Sequence, residues 1–301
     1  MIELKNEKIA VPVVLFAGLL WSFGPLVVRY MNDPHLVPWQ YIFGRGLTIF
    51  IILNLYLYFE EGINFYKNYK KIGKSGLLGG IGLGIAMISF IYSITNTSAA
   101  ITLLCLAAMP FFTALLAFLF LKEKISLNVW VSIFIATIGI IIMAIGNSEK
   151  NSLIGFIFGI TSSIGFSVFS VTLRWRKETP KFTTVAVAGL FCFVFASIII
   201  LIKGQTFFAS SYNSTMFSLH GTLVCLGLIL YSIGSKAIPA AELTLLSLTE
   251  VIGGIFWVWL PILGINEIPT TNTIVGGFFL FVSLVYYSLI MRWNKRYIAL
   301  N

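Results

Sequence analysis

Ten runs of about twenty apolar residues follow one another along this chain, separated by short polar gaps. A helix rises about 1.5 Å per residue, so each run is long enough to cross a hydrocarbon core about 30 Å thick. Charged residues make up only 10% of the chain, whereas a soluble domain carries about 25% because its surface faces water. The pattern therefore predicts an all-α membrane protein with ten transmembrane helices.

The runs define the expected bounds of the ten spans to within about three residues. They lie near residues 9–31, 38–59, 75–95, 98–121, 127–146, 153–175, 183–202, 216–236, 240–262 and 272–292. Pro38 opens the second run and Ser126 precedes the fifth, as expected at helix beginnings. Only residues 60–74 and 203–215 form loops of any size, and neither is long enough for a soluble domain.

The basic residues fall mainly on one side of this arrangement. With the amino terminus inside the cell, 16 of the 20 lysines and arginines lie inside, three lie outside and one, Arg45, lies within a span. The inner set is Lys5, Lys8, Lys67, Lys70, Lys71, Lys74, Lys122, Lys124, Arg174, Arg176, Lys177, Lys181, Lys236, Arg292, Lys295 and Arg296. Cytoplasmic loops carry such an excess, so we expect an inner-membrane protein with both termini in the cytoplasm. The same distribution accounts for the net charge of +9 without a nucleic-acid partner.

No residue pattern indicates an enzyme, a metal site or a cofactor. Cys105, Cys192 and Cys225 stand alone in apolar runs without CxxC spacing, and His35 and His220 are isolated in the sequence. An intramembrane enzyme would need clustered His, Asp or Cys residues facing one another, which the spans do not offer. A pump that hydrolyses ATP would need a phosphate-binding loop in a soluble part.

Two segments of the first half resemble segments of the second half, which indicates an internal repeat. Residues 21–29 (WSFGPLVVR) align with residues 166–174 (FSVFSVTLR) at an offset of 145. In a second pair, residues 99–123 and residues 240–267, an Ala-Ala dipeptide leads through a leucine-rich run to a glutamate.

The repeat divides the chain into two five-helix halves, residues 9–146 and residues 153–292. Because five is odd, the two halves enter the membrane with opposite polarity. The expected fold is therefore two inverted five-helix repeats. Such repeats place a substrate site near the bilayer midplane and support alternating access.

Ionisable residues inside the spans are few, and each needs a reason because a charge at the bilayer centre costs about 2.5 kcal/mol or more. Arg45 lies about seven residues from the outer end of its span, and Glu250 lies near the midplane. Three roles fit them: a structural ion pair, binding of a zwitterionic substrate, and proton coupling through Glu250. At opposite membrane faces, Glu123 and Glu267 are each expected to cap a neighbouring helix.

Aromatic and polar residues complete the candidate substrate site. Trp21 and its repeat partner Phe166 fall at mid-depth, where they either wall a cavity or pack in the core. The other polar candidates carry hydroxyl or amide groups that either orient a solute or bond between helices. The candidate substrate-binding residues are Trp21, Arg45, Tyr92, Asn96, Phe166, Tyr231 and Glu250.

Taken together, these segments resemble the drug/metabolite transporter superfamily, specifically its ten-helix EamA-type members, over nearly the whole chain. Residues 21–24 (WSFG) are similar to the family's first-span Trp-Gly signature, with Ser in place of Gly. Arg45 matches the family's second-span arginine. Residues 96–124 resemble the signature of the first repeat and residues 246–267 its counterpart, with Val251 where the family usually has Pro.

The resemblance implies a secondary active transporter, commonly an exporter, of a small polar metabolite such as an amino acid. The alternatives are an importer of a nucleotide-like or cationic metabolite, then a non-transporting membrane protein or an intramembrane enzyme. The expected partners are a small-molecule substrate, membrane lipid and protons as the coupling ion. The residues define neither the substrate, nor the direction of transport, nor the oligomeric state.

Overall fold

A computed structural model describes residues 6–146, 153–176, 178–265, 267–268 and 270–300 of the chain. These residues form helices and no strand. Among them, eight helices are long and apolar enough to cross a membrane, and two shorter apolar stretches lie where the fifth and tenth spans are expected. The protein is therefore an all-α membrane protein.

The helices are numbered by span, and a broken span carries two labels. They are α1 Glu7–Tyr30, α2 Pro38–Glu61, α3 Gly73–Asn96, α4a Ala99–Leu106, α4b Met109–Leu116, α5 Leu127–Gly146, α6 Leu153–Trp175, α7 Lys181–Ile202, α8 Ser211–Gly234, α9a Ala240–Leu246, α9b Thr249–Trp259 and α10 Thr271–Leu300. Short helical turns at Pro34–Leu36, Gly62–Tyr66, Lys67–Lys71 and Pro261–Leu263 lie in the connections. Most bounds agree with the predicted spans to within a few residues.

The fourth and ninth spans are broken near their middles, whereas the sequence predicts continuous helices. In the fourth span, Pro110 follows the break and lacks the N–H that would continue the ladder of helical hydrogen bonds. Irregular backbone at membrane depth is tolerated where protein buries it or where it lines a cavity. The break therefore indicates that this part of the fourth span lies in the interior of the bundle.

The ninth span breaks without a proline, since Val251 stands at the position equivalent to Pro110. Here hydroxyl side chains compete with the helical ladder instead. Ser247 Oγ donates to the carbonyl of Thr244 at 2.8 Å, and Thr249 Oγ1 donates to the carbonyl of Leu246 at 3.1 Å. A local side-chain effect thus reproduces in the second half the break that proline produces in the first.

Helix packing repeats when each helix is exchanged with the one five spans later. α3 packs along α6 as α8 packs along α1, and α4 packs on α6 as α9 packs on α1. α2 and α7 pack on each other, and so do α5 and α10. This exchange symmetry is what two inverted repeats produce, and it places α1, α3, α4, α6, α8 and α9 around a common centre.

Candidate functional site

A cavity lies between the two halves of the bundle. Helices α1, α2, α3, α4, α6, α8 and α9 all contribute side chains to its wall. Thirteen of its fourteen lining residues are buried, so the cavity lies within the helix bundle. Among the sequence-predicted site residues, the structure brings Trp21, Arg45, Phe166 and Glu250 together in this wall.

Several of the residues that line the cavity occupy equivalent positions in the two repeats, but they differ in charge at one of these positions. Four pairs of lining residues stand at equivalent positions of the two halves: Trp21 and Phe166, Leu83 and Val224, Met87 and Leu228, and Met109 and Glu250. Three of these pairs are apolar in both halves. The fourth places a carboxylate opposite a thioether, so the cavity has one distinct polar end.

The polar end of the cavity comes from α2, α8 and α9, which supply Arg45, His220 and Glu250. The wall from α3, α4 and α6 is apolar apart from Ser162. Ser162 donates its hydroxyl to the carbonyl of Ala86 at 2.9 Å and is thereby satisfied within the protein. The cavity therefore suits a solute with a charged head and an apolar tail.

Arg45 is buried at 5% exposure, yet its Nε and Nη1 atoms have no hydrogen-bond partner. Its guanidinium carbon lies 5.6 Å from the centroid of the Phe90 ring, a cation–π contact within the membrane. Leaving a buried donor unsatisfied costs about 1–3 kcal/mol, and more for a charged group. These N–H groups are therefore unpartnered donors of a residue that lines the cavity.

Glu250 lies in the first turn of α9b, directly after the break in the ninth span, and is 8% exposed. The amino-terminal end of a helix favours a carboxylate at this position. Within the described residues, no ion pair of 4.0 Å or less joins Glu250 to Arg45. The structural ion pair, one of the three roles that fit these residues, is thus not formed in this conformation.

His220 also lines the cavity, although the sequence shows it only as an isolated histidine in an apolar run. Its Nδ1 shares a short hydrogen bond with the hydroxyl of Tyr41, whose ring stacks on Phe217 at 4.9 Å. Its Nε2 lies against Gly24, where an added Cβ would come within 2.8 Å. These contacts fix the ring beside Arg45. Among the described residues, no group of three or more His, Cys, Asp or Glu side chains is placed to hold a metal ion.

Three aromatic residues form one side of the cavity and its support. The Trp21 ring centroid lies 5.5 Å from that of Phe166 and 5.4 Å from that of Tyr231. Trp21 Nε1 donates to the carbonyl of Val224 at 3.2 Å, which joins α1 to α8. Tyr231 is fully buried behind the lining, and its hydroxyl lies 2.7 Å from Ser170 Oγ. Tyr231 therefore supports the two rings that face the cavity.

Tyr92 and Asn96 do not line the cavity, although both are among the sequence-predicted site residues. The Tyr92 ring packs between Trp39 and Phe158, with centroids 5.1 and 5.0 Å away. Asn96 is exposed at the end of α3, where its Nδ2 donates to the carbonyl of Tyr92 at 2.8 Å. Successive residues turn by about 100° in a helix, so Tyr92 faces away from the cavity that Phe90 lines.

Comparison with known proteins shows what this arrangement is similar to. Residues 8–145 match the EamA-like transporter family. Two strains of Helicobacter pylori have proteins named as uncharacterized transporters, 29% and 28% identical over 171 residues. These alignments span 56% of this chain and 56% of each relative. A Clostridium kluyveri protein of the same name is 27% identical over 223 residues, 69% of both chains.

A solved crystal structure shows the same fold over nearly the whole chain. It superposes with a TM-score of 0.75 over 96% of this chain and 100% of that one, at 15% identity. The family match covers the first five helices, and the second five repeat their packing. The first half of the chain is therefore similar to the EamA-like transporter family, and the chain is a multi-pass membrane protein.

Proposed function

We propose that this transporter exports amino acids with apolar side chains by alternating access. The observation that carries the proposal is the pair of buried, oppositely charged side chains, Arg45 and Glu250, which line one cavity without pairing with each other. A cation and a carboxylate that are both available within one cavity match the two charges of a zwitterion.

Each part of an amino acid finds a chemical partner in the cavity. The substrate carboxylate would accept hydrogen bonds from the unpartnered Arg45 N–H groups, whose planar fork suits two carboxylate oxygens. The substrate ammonium would donate to Glu250. An apolar side chain would contact Leu83, Met87 and Met109 on the opposite wall. Because the charges are satisfied in pairs, carrying a zwitterion avoids the cost of a bare charge in the membrane.

The same lining disfavours the other substrate classes that the sequence allows. A polyamine carries several positive charges, whereas the described lining residues offer one carboxylate and place Arg45 beside it. A nucleotide carries at least two negative charges and would meet the Glu250 carboxylate. Repulsion by an unmatched buried charge is a strong means of excluding such solutes.

Export from the cytoplasm, with both termini inside the cell, is the arrangement we propose for this activity. The excess of basic residues on the amino-terminal side supports the orientation, and the resemblance to exporters supports the direction. Protons are the proposed coupling ion, since a protonated Glu250 no longer attracts the substrate ammonium. Binding of a proton and binding of the substrate would then exclude each other at one carboxylate.

Ligand-induced thermal stabilisation of the purified protein tests the substrate class. Leucine and methionine are expected to raise the melting temperature, whereas spermidine and adenosine monophosphate are not. A ligand at about 100 times its Kd stabilises the folded state by about 2.7 kcal/mol, which gives a shift of several degrees. Stabilisation by spermidine or adenosine monophosphate, with none by amino acids, would contradict the proposal.

A further inference from the structure

Two ion pairs join the halves of the protein outside the cavity. Arg29 Nε donates to Glu267 Oε1 at 2.8 Å, and Arg174 Nε donates to Glu123 Oε1 at 2.7 Å. Arg29 and Arg174 are repeat partners, and Glu123 and Glu267 are repeat partners as well. Each pair therefore joins the arginine of one half to the glutamate of the other.

Both arginines also bind the end of a neighbouring helix. Arg29 donates to the carbonyls of Ile94 and Thr97 at 3.4 and 3.3 Å, at the end of α3. Arg174 makes the matching bonds at the end of α8. Its Nη1 donates to the carbonyls of Ser235 and Ile238 at 3.1 and 2.9 Å. The acceptor residues are equivalent in the two repeats, so the two clusters have the same design.

The glutamates lie in the connections between the last two spans of each half. Glu123 lies between α4b and α5, and it also accepts a hydrogen bond from the backbone N–H of Ala240 at 3.4 Å. It therefore caps α9a, as predicted for this residue. Glu267 lies between α9b and α10, and its backbone N–H donates to the carbonyl of Val258 at 2.9 Å. Each cluster thus connects three segments that surround the cavity.

The two clusters lie at opposite faces of the membrane. α1, α3 and α9 all end at the face opposite the amino terminus, where Arg29 and Glu267 meet. α4, α6 and α8 end at the other face, where Arg174 and Glu123 meet. Solvent reaches both pairs, with side-chain exposures of 19% and 36% in the first and 27% and 21% in the second. An exposed ion pair contributes little net stability, so water can replace it readily.

We propose that these two clusters are the gates of the transport cycle and that they open in alternation. This inference rests on the proposed transport function. For the cavity to open towards one face, the helix ends at that face must separate, which breaks the cluster there. The cluster at the other face holds its helix ends together meanwhile. Because the clusters are equivalent in the repeat, each intact cluster keeps the cavity closed at its own face while the broken cluster leaves the opposite face open.

Cysteine accessibility tests the two gates separately. Ser162→Cys places a reporter thiol in the cavity. Labelling of the buried Cys105, Cys192 and Cys225 in the parent chain is the background signal. Glu267→Gln is expected to increase labelling by an impermeant maleimide roughly fivefold from the face where α1 ends. Glu123→Gln is expected to increase it from the opposite face. Intact cells and inverted vesicles present the two faces in turn.

The matched control is Glu61→Gln, which makes the same change at an exposed glutamate that accepts a hydrogen bond from Asn68. The charge exchange Arg29→Glu with Glu267→Arg is expected to return labelling towards the parent value. Should Glu267→Gln fold poorly, Arg29→Lys weakens the same cluster while keeping its charge. An increase in labelling from the same face in both gate variants would overturn the proposal. So would the absence of any increase in both variants. Labelling needs no substrate, so the result is readable even if leucine is not carried.

Discussion

Replacing Arg45 with glutamine is expected to weaken leucine binding roughly 10- to 100-fold. Hydrogen bonds to a charged group contribute about 1.5–3 kcal/mol, and the substrate carboxylate would lose its only cationic partner among the described lining residues. The dissociation constant, measured by isothermal titration of the purified variant, checks this directly. Because Arg45 has no hydrogen bond from Nε or Nη1, the variant loses few existing contacts.

The control for Arg45→Gln uses a second cation and a second ligand. Lys203→Gln removes a charge that lies over the Trp39 ring at 5.9 Å, outside the cavity, and leucine binding should be unchanged. In Arg45→Gln itself, binding of 3-methylbutylamine, which is leucine without its carboxylate, should persist. An equal loss of amine and amino-acid binding would show that Arg45 supports the fold of the cavity and not the carboxylate.

Replacing Glu250 with glutamine is expected to produce the complementary pattern. Binding of leucine and 3-methylbutylamine should weaken by a similar factor, roughly 10- to 100-fold, because the ammonium loses its carboxylate partner. Binding of 4-methylpentanoate, which is leucine without its amino group, should be retained. The same titrations measure all three ligands, and the substitution is nearly isosteric.

The internal repeat supplies a sharper control for Glu250. Met109 occupies the equivalent position in the first half and lines the same cavity. Adding Met109→Glu to Glu250→Met returns a carboxylate to the cavity from the opposite side, and partial recovery of amine binding is expected. Loss of 4-methylpentanoate binding in Glu250→Gln, on the other hand, would contradict an assignment of Glu250 to the ammonium.

The number and placement of the helices follow from the sequence because the hydrocarbon thickness dictates the length of each apolar run. The breaks in the fourth and ninth spans do not follow from hydropathy. Ser247 and Thr249 interrupt the ninth span through local hydrogen bonds, whereas serine and threonine in many other spans bond within an unbroken helix. Which of these outcomes occurs depends on neighbouring helices that the sequence does not show.

The sequence predicts those residues of the candidate site that are marked by their charge within a span or by their position in the internal repeat. Arg45 and Glu250 are recognisable because an ionisable group in a span needs a reason. Position along the sequence gives depth but not the direction in which a side chain points, and so Tyr92 and Asn96 lie away from the cavity. His220 was missed because its partner Tyr41 lies on another helix.

The internal repeat of the sequence contains the residues of both ion pairs at equivalent positions. Arg29 aligns with Arg174, and Glu123 aligns with Glu267. The prediction that the glutamates cap helices is confirmed for Glu123 at Ala240. Pairing across the halves follows only when the inverted arrangement brings the last turn of the first span of one repeat beside the fourth-to-fifth connection of the other.

Leucine counterflow in proteoliposomes tests the central claim most directly, since it requires the cavity to bind a zwitterion and to open to both faces. Vesicles loaded with unlabelled leucine are diluted into labelled leucine, and the label that accumulates inside is counted. We expect transient accumulation with the native chain and none with Arg45→Gln or Glu250→Gln. Accumulation no greater than in protein-free vesicles, from native protein that binds leucine, would contradict the account.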